Sequence, residues 1–379
     1  MKRCLLLAAA ILWLLVPCAR SESLDDTLRQ TLEGLPLRDW QNAYDQAFPQ
    51  GEDFQTLILR LARGEMTLSG EELLRSLASR FLSALSGSLW RMARLLPPAV
   101  FCGLLHRLKA SFAKASVAEA LNGACFLLLA GCMAQDLGQY MTLSQDAVTK
   151  MADLMQTLFP LLLTLLAAVG GTAGAAFFQP AIVAAGGTMT ALVRSVTLPL
   201  ALSAGVTVIL CHLSPRVRLG RLSSLLKTAA VWTLGVSFTV FISVTTLQSL
   251  GAAADGVSIR TAKYAVDHFV PVVGGMFADT MDTLVGASLL IKNALGLTGL
   301  LMLLAAGALP MLQTLAAVMV YRACAALLEP LSDTRASGCM QDFSDVLMLL
   351  FVIQLSVGAM LLLLTAQLLA VGNLTVMLR

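Results

Sequence analysis

Lys292 is the residue of this sequence whose chemistry most needs an explanation. It stands with Asn293 inside a long apolar stretch, "GASLLIKNALGLTGLLMLLAAGALP". A charged side chain at bilayer depth costs ~2.5–3.5 kcal/mol on insertion scales. On a helix, Asp279, Asp282, Thr283 and Asn293 fall within about 100° of one another. They form a polar stripe that cannot comfortably face lipid, and Lys292 lies to one side of it, near the end of the span.

Two interpretations of Lys292 stay open at the level of the sequence. In the first, its long side chain carries the ammonium group to the membrane interface. In the second, Lys292 faces the protein interior and offsets the charge of Asp282 or Asp279 across a polar cavity. The first makes the lysine an anchor, and the second makes it part of a functional site.

A run of small residues, "AAVGGTAGAAFFQPAIVAAGG", is the second candidate region. Small side chains let membrane helices approach closely, which is the ordinary interpretation of such a run. The functional interpretation is that the run lines a permeation path, with a break in the helix. The residues concerned are Gly170, Gly171, Gly174, Gln179 and Pro180.

Motifs for enzymatic chemistry are missing from the sequence. The eight cysteines form no C-x-x-C pair and the three histidines are scattered, so no metal site is expected. There is no phosphate-binding glycine loop, no G-x-S-x-G and no H-E-x-x-H. We therefore expect a protein that is not an enzyme and needs no cofactor. Its net charge of +3 gives no reason to expect a nucleic-acid partner.

The composition indicates that these residues are carried by membrane helices. Hydrophobic residues make up 57% of the chain and charged residues only 13%, about half of what soluble domains have. A membrane-spanning helix needs ~20 apolar residues. The sequence therefore predicts an all-α polytopic membrane protein of about seven spans: Val117–Ala134, Leu154–Ala176, Pro180–Leu213, Thr228–Leu250, His268–Ile291, Leu295–Leu328 and Ser344–Leu369.

The prolines suggest an internal repeat. Pro199 and Pro310 lie inside long runs and predict kinked helices or pairs of half-helices. Pro160 and Pro199 have the same spacing as Pro271 and Pro310. This offset predicts two inverted units of three spans, at 150–250 and 261–371, a plan that many transporters use. Chance placement of the prolines is the alternative.

The N-terminal part has a different character. Residues 1–21 have the basic start and apolar centre of a secretion signal, with an uncleaved anchor as the alternative. Residues 22–95 are rich in charge and show helical spacing of leucines, which predicts a small extracytoplasmic helical domain. The polytopic domain then covers 96–379.

Orientation follows from the basic residues in short loops. Four of them cluster from Arg216 to Lys227, so we expect this loop in the cytoplasm. With an exported N-terminal domain and seven spans, Arg379 is also expected in the cytoplasm. The basic residues Arg107, Lys109 and Lys114 would then fall outside, which conflicts with the same rule.

Three blocks of the sequence resemble one protein family. They are "AADGVSIRTAKYAVDHFVPVVGGMFADTMDTLVGASLLIKNALGLTGLL", "FPLLLTLLAAVGGTAGAAFFQPAIVAA" and "AALLEPLSDTRASGCMQDFSDVLMLLF". They are similar to the stage III sporulation protein AE family of endospore-forming bacteria. The resemblance covers residues ~95–375 and is weak over 20–95.

This resemblance implies a multi-pass protein of the mother-cell membrane around the engulfed forespore. The implied partners are other proteins of the same operon, including a secretion-type ATPase and a ring-forming protein, and a forespore membrane protein. The implied function is a component of the channel, or feeding tube, that sustains forespore development after engulfment. A structural assembly platform and a stand-alone secondary transporter are the alternatives. The family has no catalytic residues that could be assigned to positions of this chain.

Overall fold

A computed structural model gives the fold as a bundle of long helices. It describes residues 32, 37–47, 53–65, 70–108, 115–168, 187–213, 219–252, 274–330 and 334–377. These residues form helices nearly throughout, and there is no strand among them. The helices are α1 (Arg38–Ala47), α2 (Phe54–Ala62), α3 (Gly70–Leu108), α4 (Ala115–Ala168), α5 (Leu198–Leu213), α6 (Gly220–Ala252), α7 (Gly274–Leu328) and α8 (Thr334–Met377).

Five helices of the described part are long and apolar enough to cross a membrane. These stretches are Gly123–Ala168, Gly187–Leu213, Gly220–Thr246, Val285–Leu328 and Arg335–Ala370. The prediction of an all-α polytopic membrane protein is confirmed. The count of seven spans is not, because the first two predicted runs share α4 and the fifth and sixth share α7. Polar residues separate the paired runs in the sequence but do not interrupt the helix.

The prolines are accommodated inside helices. Pro310 lies within the continuous α7, which excludes the half-helix alternative and leaves the predicted single helix through the proline. Pro199 is the second residue of α5, directly after a π-helix at Val193–Thr197. A π-turn is one of the ways in which a helix absorbs a residue that lacks an N–H group.

The predicted repeat stays a prediction, because residues 169–186 and 253–273, which belong to it, lie outside the described residues. In the described part, the unit 150–250 contains the end of α4 together with α5 and α6, and the unit 261–371 contains α7 and α8. The predicted domain boundary at residue 95 falls inside α3, beside the buried Leu95. The division into an extracytoplasmic and a membrane domain stays a prediction. The expected signal at 1–21 lies outside the described residues.

Side-chain contacts fix the directions of the three central helices. Three contacts between α4 and α8 join residues that are 206 to 210 positions apart in the sequence. Because this separation stays nearly constant along both helices, α4 and α8 run parallel. α7 is antiparallel to both: it meets α4 at Tyr321 and Asp136 near its end, and α8 at Lys292 and Leu368 nearer its start. This register keeps an apolar core continuous along the bundle.

The N-terminal helices pack onto this core far from the start of α4. Trp40 of α1 is 2% exposed, and its indole Nε1 donates to the Thr157 carbonyl of α4 at 3.3 Å. Asp53 caps the start of α2, because its carboxylate accepts from the Thr56 amide, and Gly64, whose φ of 71° suits glycine, follows the end of the helix.

Among the five candidate membrane helices, α6 has the smallest part of its surface buried against other helices. Trp232 is 70% exposed, and Val236, on the next turn, is 56% exposed. An apolar surface of this extent suits contact with lipid, which agrees with α6 being a membrane helix.

The contact of α5 with its neighbours gives a test of the packing. A Cβ atom added to Gly205 would lie 2.8 Å from the Leu137 side chain and 3.2 Å from Val346. We expect Gly205→Val to destabilise the protein by ~1–3 kcal/mol through overpacking. Gly235→Val on α6 is the matched control, because no atom lies within 4 Å of its added Cβ. Thermal unfolding in detergent measures the difference, and equal effects of the two substitutions would contradict this packing.

Candidate functional site

Lys292 lies in the interior of the bundle. It is 0% exposed, and its Nζ donates to the backbone carbonyls of Leu368 at 2.9 Å and Leu369 at 3.3 Å. Both carbonyls belong to α8. The lysine therefore joins α7 to α8 inside the protein.

Asn293 strengthens the same junction. Its Nδ2 donates to Asn373 Oδ1 at 2.9 Å, while its own Oδ1 is buried and has no hydrogen-bond partner. One turn further on, a Cβ atom on Gly296 would overlap the Leu369 side chain, so the two helices are closely packed here. Lys292 is thus buried where α7 and α8 are closely packed, and the hydrogen bond between Asn293 and Asn373 lies at the exposed edge of this contact.

The other residues of the predicted polar stripe lie at a distance from Lys292 along α7. The side chains of Asp279, Asp282 and Thr283 lie outside the described residues. Their backbone belongs to α7, which places residue 282 ten residues, or ~15 Å, from residue 292 along the axis. Lysine and aspartate side chains on one straight helix cannot span that distance, so the expected offset of Lys292 by Asp282 is not a direct ion pair within α7.

The small-residue run cannot be placed. Gly170, Gly171, Gly174, Gln179 and Pro180 all lie in 169–186, outside the described residues. Their role in packing or in lining a path stays a prediction.

A second polar junction joins all three central helices. Gln354 of α8 is 0% exposed, and its Nε2 donates to Ser144 Oγ of α4 at 2.6 Å and to Thr314 Oγ1 of α7 at 3.1 Å. The two hydroxyls donate in turn to the carbonyls of their own helices. Only Gln354 Oε1 has no partner. Sequence analysis missed this junction, because single polar residues in apolar runs do not show which helices they connect.

A third junction involves a buried carboxylate. Tyr321 of α7 donates its hydroxyl proton to Asp136 Oδ2 of α4 at 2.6 Å, and the two residues are 2% and 7% exposed. The Tyr321 ring also packs on Phe343, with centroids 4.8 Å apart. An ionisable residue buried among membrane helices marks a candidate functional position.

The Tyr321 hydroxyl gives a second test. We expect Tyr321→Phe to destabilise the protein by ~1.5–3 kcal/mol, since it leaves the Asp136 carboxylate without this donor. Adding Asp136→Asn should recover part of the loss, because an amide is less costly to bury than an unpaired carboxylate. Unfolding midpoints of the single and double variants form the cycle, and strictly additive losses would contradict the coupling.

Several charged side chains lie at the end of the bundle that contains Tyr321 and Asp136. Arg335 Nε of α8 donates to the His212 carbonyl at the end of α5 at 2.6 Å, and the guanidinium stacks on Phe126 of α4 at 4.8 Å. Lys227 Nζ of α6 donates to the Asp342 carbonyl at 3.3 Å. We call this the basic end. A cation at the last carbonyls of a helix also offsets the helix dipole.

A groove of about 520 Å³ opens between the N-terminal helices and the central bundle. Its wall includes Arg80 of α3, Pro310 of α7 and three charged residues of α4: Asp146, Lys150 and Asp153. We call it the junction groove. Within the described part of the chain, no group of three or more His, Cys, Asp or Glu side chains could hold a metal ion.

Comparison with known proteins gives one consistent result. The family model described as "Stage III sporulation protein AE" matches residues 52–372. The Stage III sporulation protein AE of Bacillus subtilis (strain 168) is 29% identical over 323 residues, which are 85% of this chain and 81% of that protein. No solved structure matches. Family membership supports a role in sporulation. This chain belongs to the stage III sporulation protein AE family.

Proposed function

We propose that this protein is the multi-pass membrane component of a channel that links the mother cell to the forespore and is required for forespore development after engulfment. The observation that carries the proposal is the combination of family membership with a bundle of apolar helices held together by buried polar groups. A bundle of this kind is rigid enough to keep a passage or a docking surface in place within a membrane. The proposed site is the mother-cell membrane that surrounds the forespore.

The proposed partners are other proteins of the same operon. They include a secretion-type ATPase, which would supply energy that this chain has no motif to supply, and a ring-forming protein. A forespore membrane protein would complete the connection. The lipid bilayer would contact the apolar residues of α6 that are exposed in the structure, such as Trp232.

A gene deletion in the sporulating host tests the proposal. We expect engulfment to finish and forespore development to stop afterwards, with full rescue by the intact chain. A small fluorescent solute loaded into the mother cell should then fail to reach the forespore. Normal spores after deletion would overturn the proposal. Failed development with normal solute exchange would favour an assembly platform over a passage.

A further inference from the structure

The junction groove has two acidic and two basic side chains in its wall, and these four are not paired with one another. Asp146, Lys150 and Asp153 follow one another at spacings of four and three, so they share one face of α4. Arg80 belongs to α3 and lines the same groove. Among the described residues no ion pair joins any of these four side chains. The groove thus offers two anionic and two cationic groups over ~10 Å of helix.

Backbone chemistry adds acceptors to this wall. Pro310 has no N–H group, so the carbonyl of Ala306 lacks its usual helical donor. Both residues line the groove. The Thr157 hydroxyl, also in the wall, donates to the carbonyls of Asp153 and Leu154 at 3.2 and 2.8 Å and so keeps its lone pairs for accepting. Carboxylates, a carbonyl and a hydroxyl together suit an ammonium group, whereas Lys150 and Arg80 suit a carboxylate.

We propose that the junction groove binds a small zwitterionic solute of the amino-acid type. Its volume lies in the range of small-molecule sites, ~300–1,000 Å³, and it lies at a junction between helical layers, where such sites are common. A partner helix would instead need a continuous apolar row of anchors, and here four charges interrupt the wall. The proposal rests on the channel function, since a bound solute is what a passage would carry.

Binding of three related probes tests the charge requirement. The full chain is purified in detergent and titrated with L-glutamine, L-glutaminamide and glutaramate, which carry both charges, the positive charge only and the negative charge only. Saturation-transfer NMR reports contact with the probe, and the shift of the unfolding midpoint reports affinity. We expect L-glutamine to bind at least tenfold more tightly than either analogue. Equal binding of the three probes, or no binding, would overturn the proposal.

Substitutions then assign the two poles of the site. Asp153→Asn should weaken L-glutamine at least tenfold and leave glutaramate unchanged, and Arg80→Gln should weaken L-glutamine while sparing L-glutaminamide. Glu329→Gln is the matched control, because it removes an exposed carboxylate beyond the end of α7, far from the groove. If Glu329→Gln weakens binding as much as Asp153→Asn, the effect is one of net charge and the proposal fails.

The detergent assay separates this proposal from the channel function. The assay needs none of the other sporulation proteins. If the purified chain binds no probe while deletion of its gene still stops sporulation, only the groove proposal fails. If no probe binds but a polypeptide copurifies and crosslinks at Lys150, the groove is a protein interface and the solute proposal is wrong. Binding of L-glutamine in a chain whose deletion leaves sporulation normal would instead sink the channel function.

Discussion

Lys292→Glu should prevent the bundle from forming. The substitution places a carboxylate against the carbonyl oxygens of Leu368 and Leu369, which now accept from the lysine Nζ at 2.9 and 3.3 Å. The new side chain can neither donate to these oxygens nor reach water, since the position is 0% exposed. An uncompensated buried charge costs ~3–5 kcal/mol, a large part of the ~5–15 kcal/mol that stabilises a typical domain. Protein level in the membrane and the unfolding midpoint in detergent are the measurements.

Two further variants show why the lysine is there. Lys292→Met keeps most of the packing and removes the buried charge, and both α8 carbonyls lie before the last turn of that helix, where backbone N–H groups also serve them. We expect a stability within ~1 kcal/mol of the original chain. Lys150→Glu is the matched charge reversal, at an exposed position of α4, and should be stable as well.

The opposite outcome would revive the expected carboxylate partner. If Lys292→Met is as damaging as Lys292→Glu, the positive charge itself is needed. Asp282→Asn or Asp279→Asn should then restore part of the loss. Without such rescue, Lys292 serves to join α7 and α8 and the polar stripe has another purpose.

The sequence could predict which residues are apolar and helical, but not where each helix ends. Residues 135–153 contain several polar side chains, which is why they were predicted to separate two spans. They contain no proline, however, and a single glycine, Gly138. With no residue there to end a helix, α4 continues through them. At Pro310 the sequence left a single helix and two half-helices open. The helix α7 is continuous there, because one missing N–H group is too little to break a helix that packs against α3, α4 and α8.

The candidate site was predicted in part for a similar reason. Lys292 could be identified because a lone charge in an apolar run is costly wherever it points. Its partners could not, since they are backbone carbonyls, which every residue carries. Gln354 and Asp136 gave the same weak signal as many other polar residues, and only the register of α4, α7 and α8 brings them to Thr314 and Tyr321.

The orientation of the bundle in the membrane gives the second prediction with a large expected effect, because a fused reporter enzyme lies either in the cytoplasm or outside it. The end of α5 and the first turns of α6 lie at the basic end, where the His212 carbonyl and Lys227 contact α8. We therefore predict that the connection between α5 and α6, with its cluster from Arg216 to Lys227, is on this side. Phe126, in the first part of α4, packs under Arg335 at the same end, so we predict that the segment 107–114, which precedes α4, is on this side as well. Both basic segments, which disagreed in a seven-span arrangement, would then face the cytoplasm.

The C-terminus should then lie outside. α8 begins beside His212 at the basic end and runs away from it over 44 residues, about 66 Å, which exceeds the ~30 Å hydrocarbon core. This revises the expectation that Arg379 shares a side with the basic loop. Alkaline phosphatase, active only when exported, should be active when fused after Arg379 and inactive when inserted between α5 and α6. If the fusions after Arg379 and between α5 and α6 report the same side, α8 does not cross the membrane and the helix directions deduced from the α4–α8 contacts are wrong.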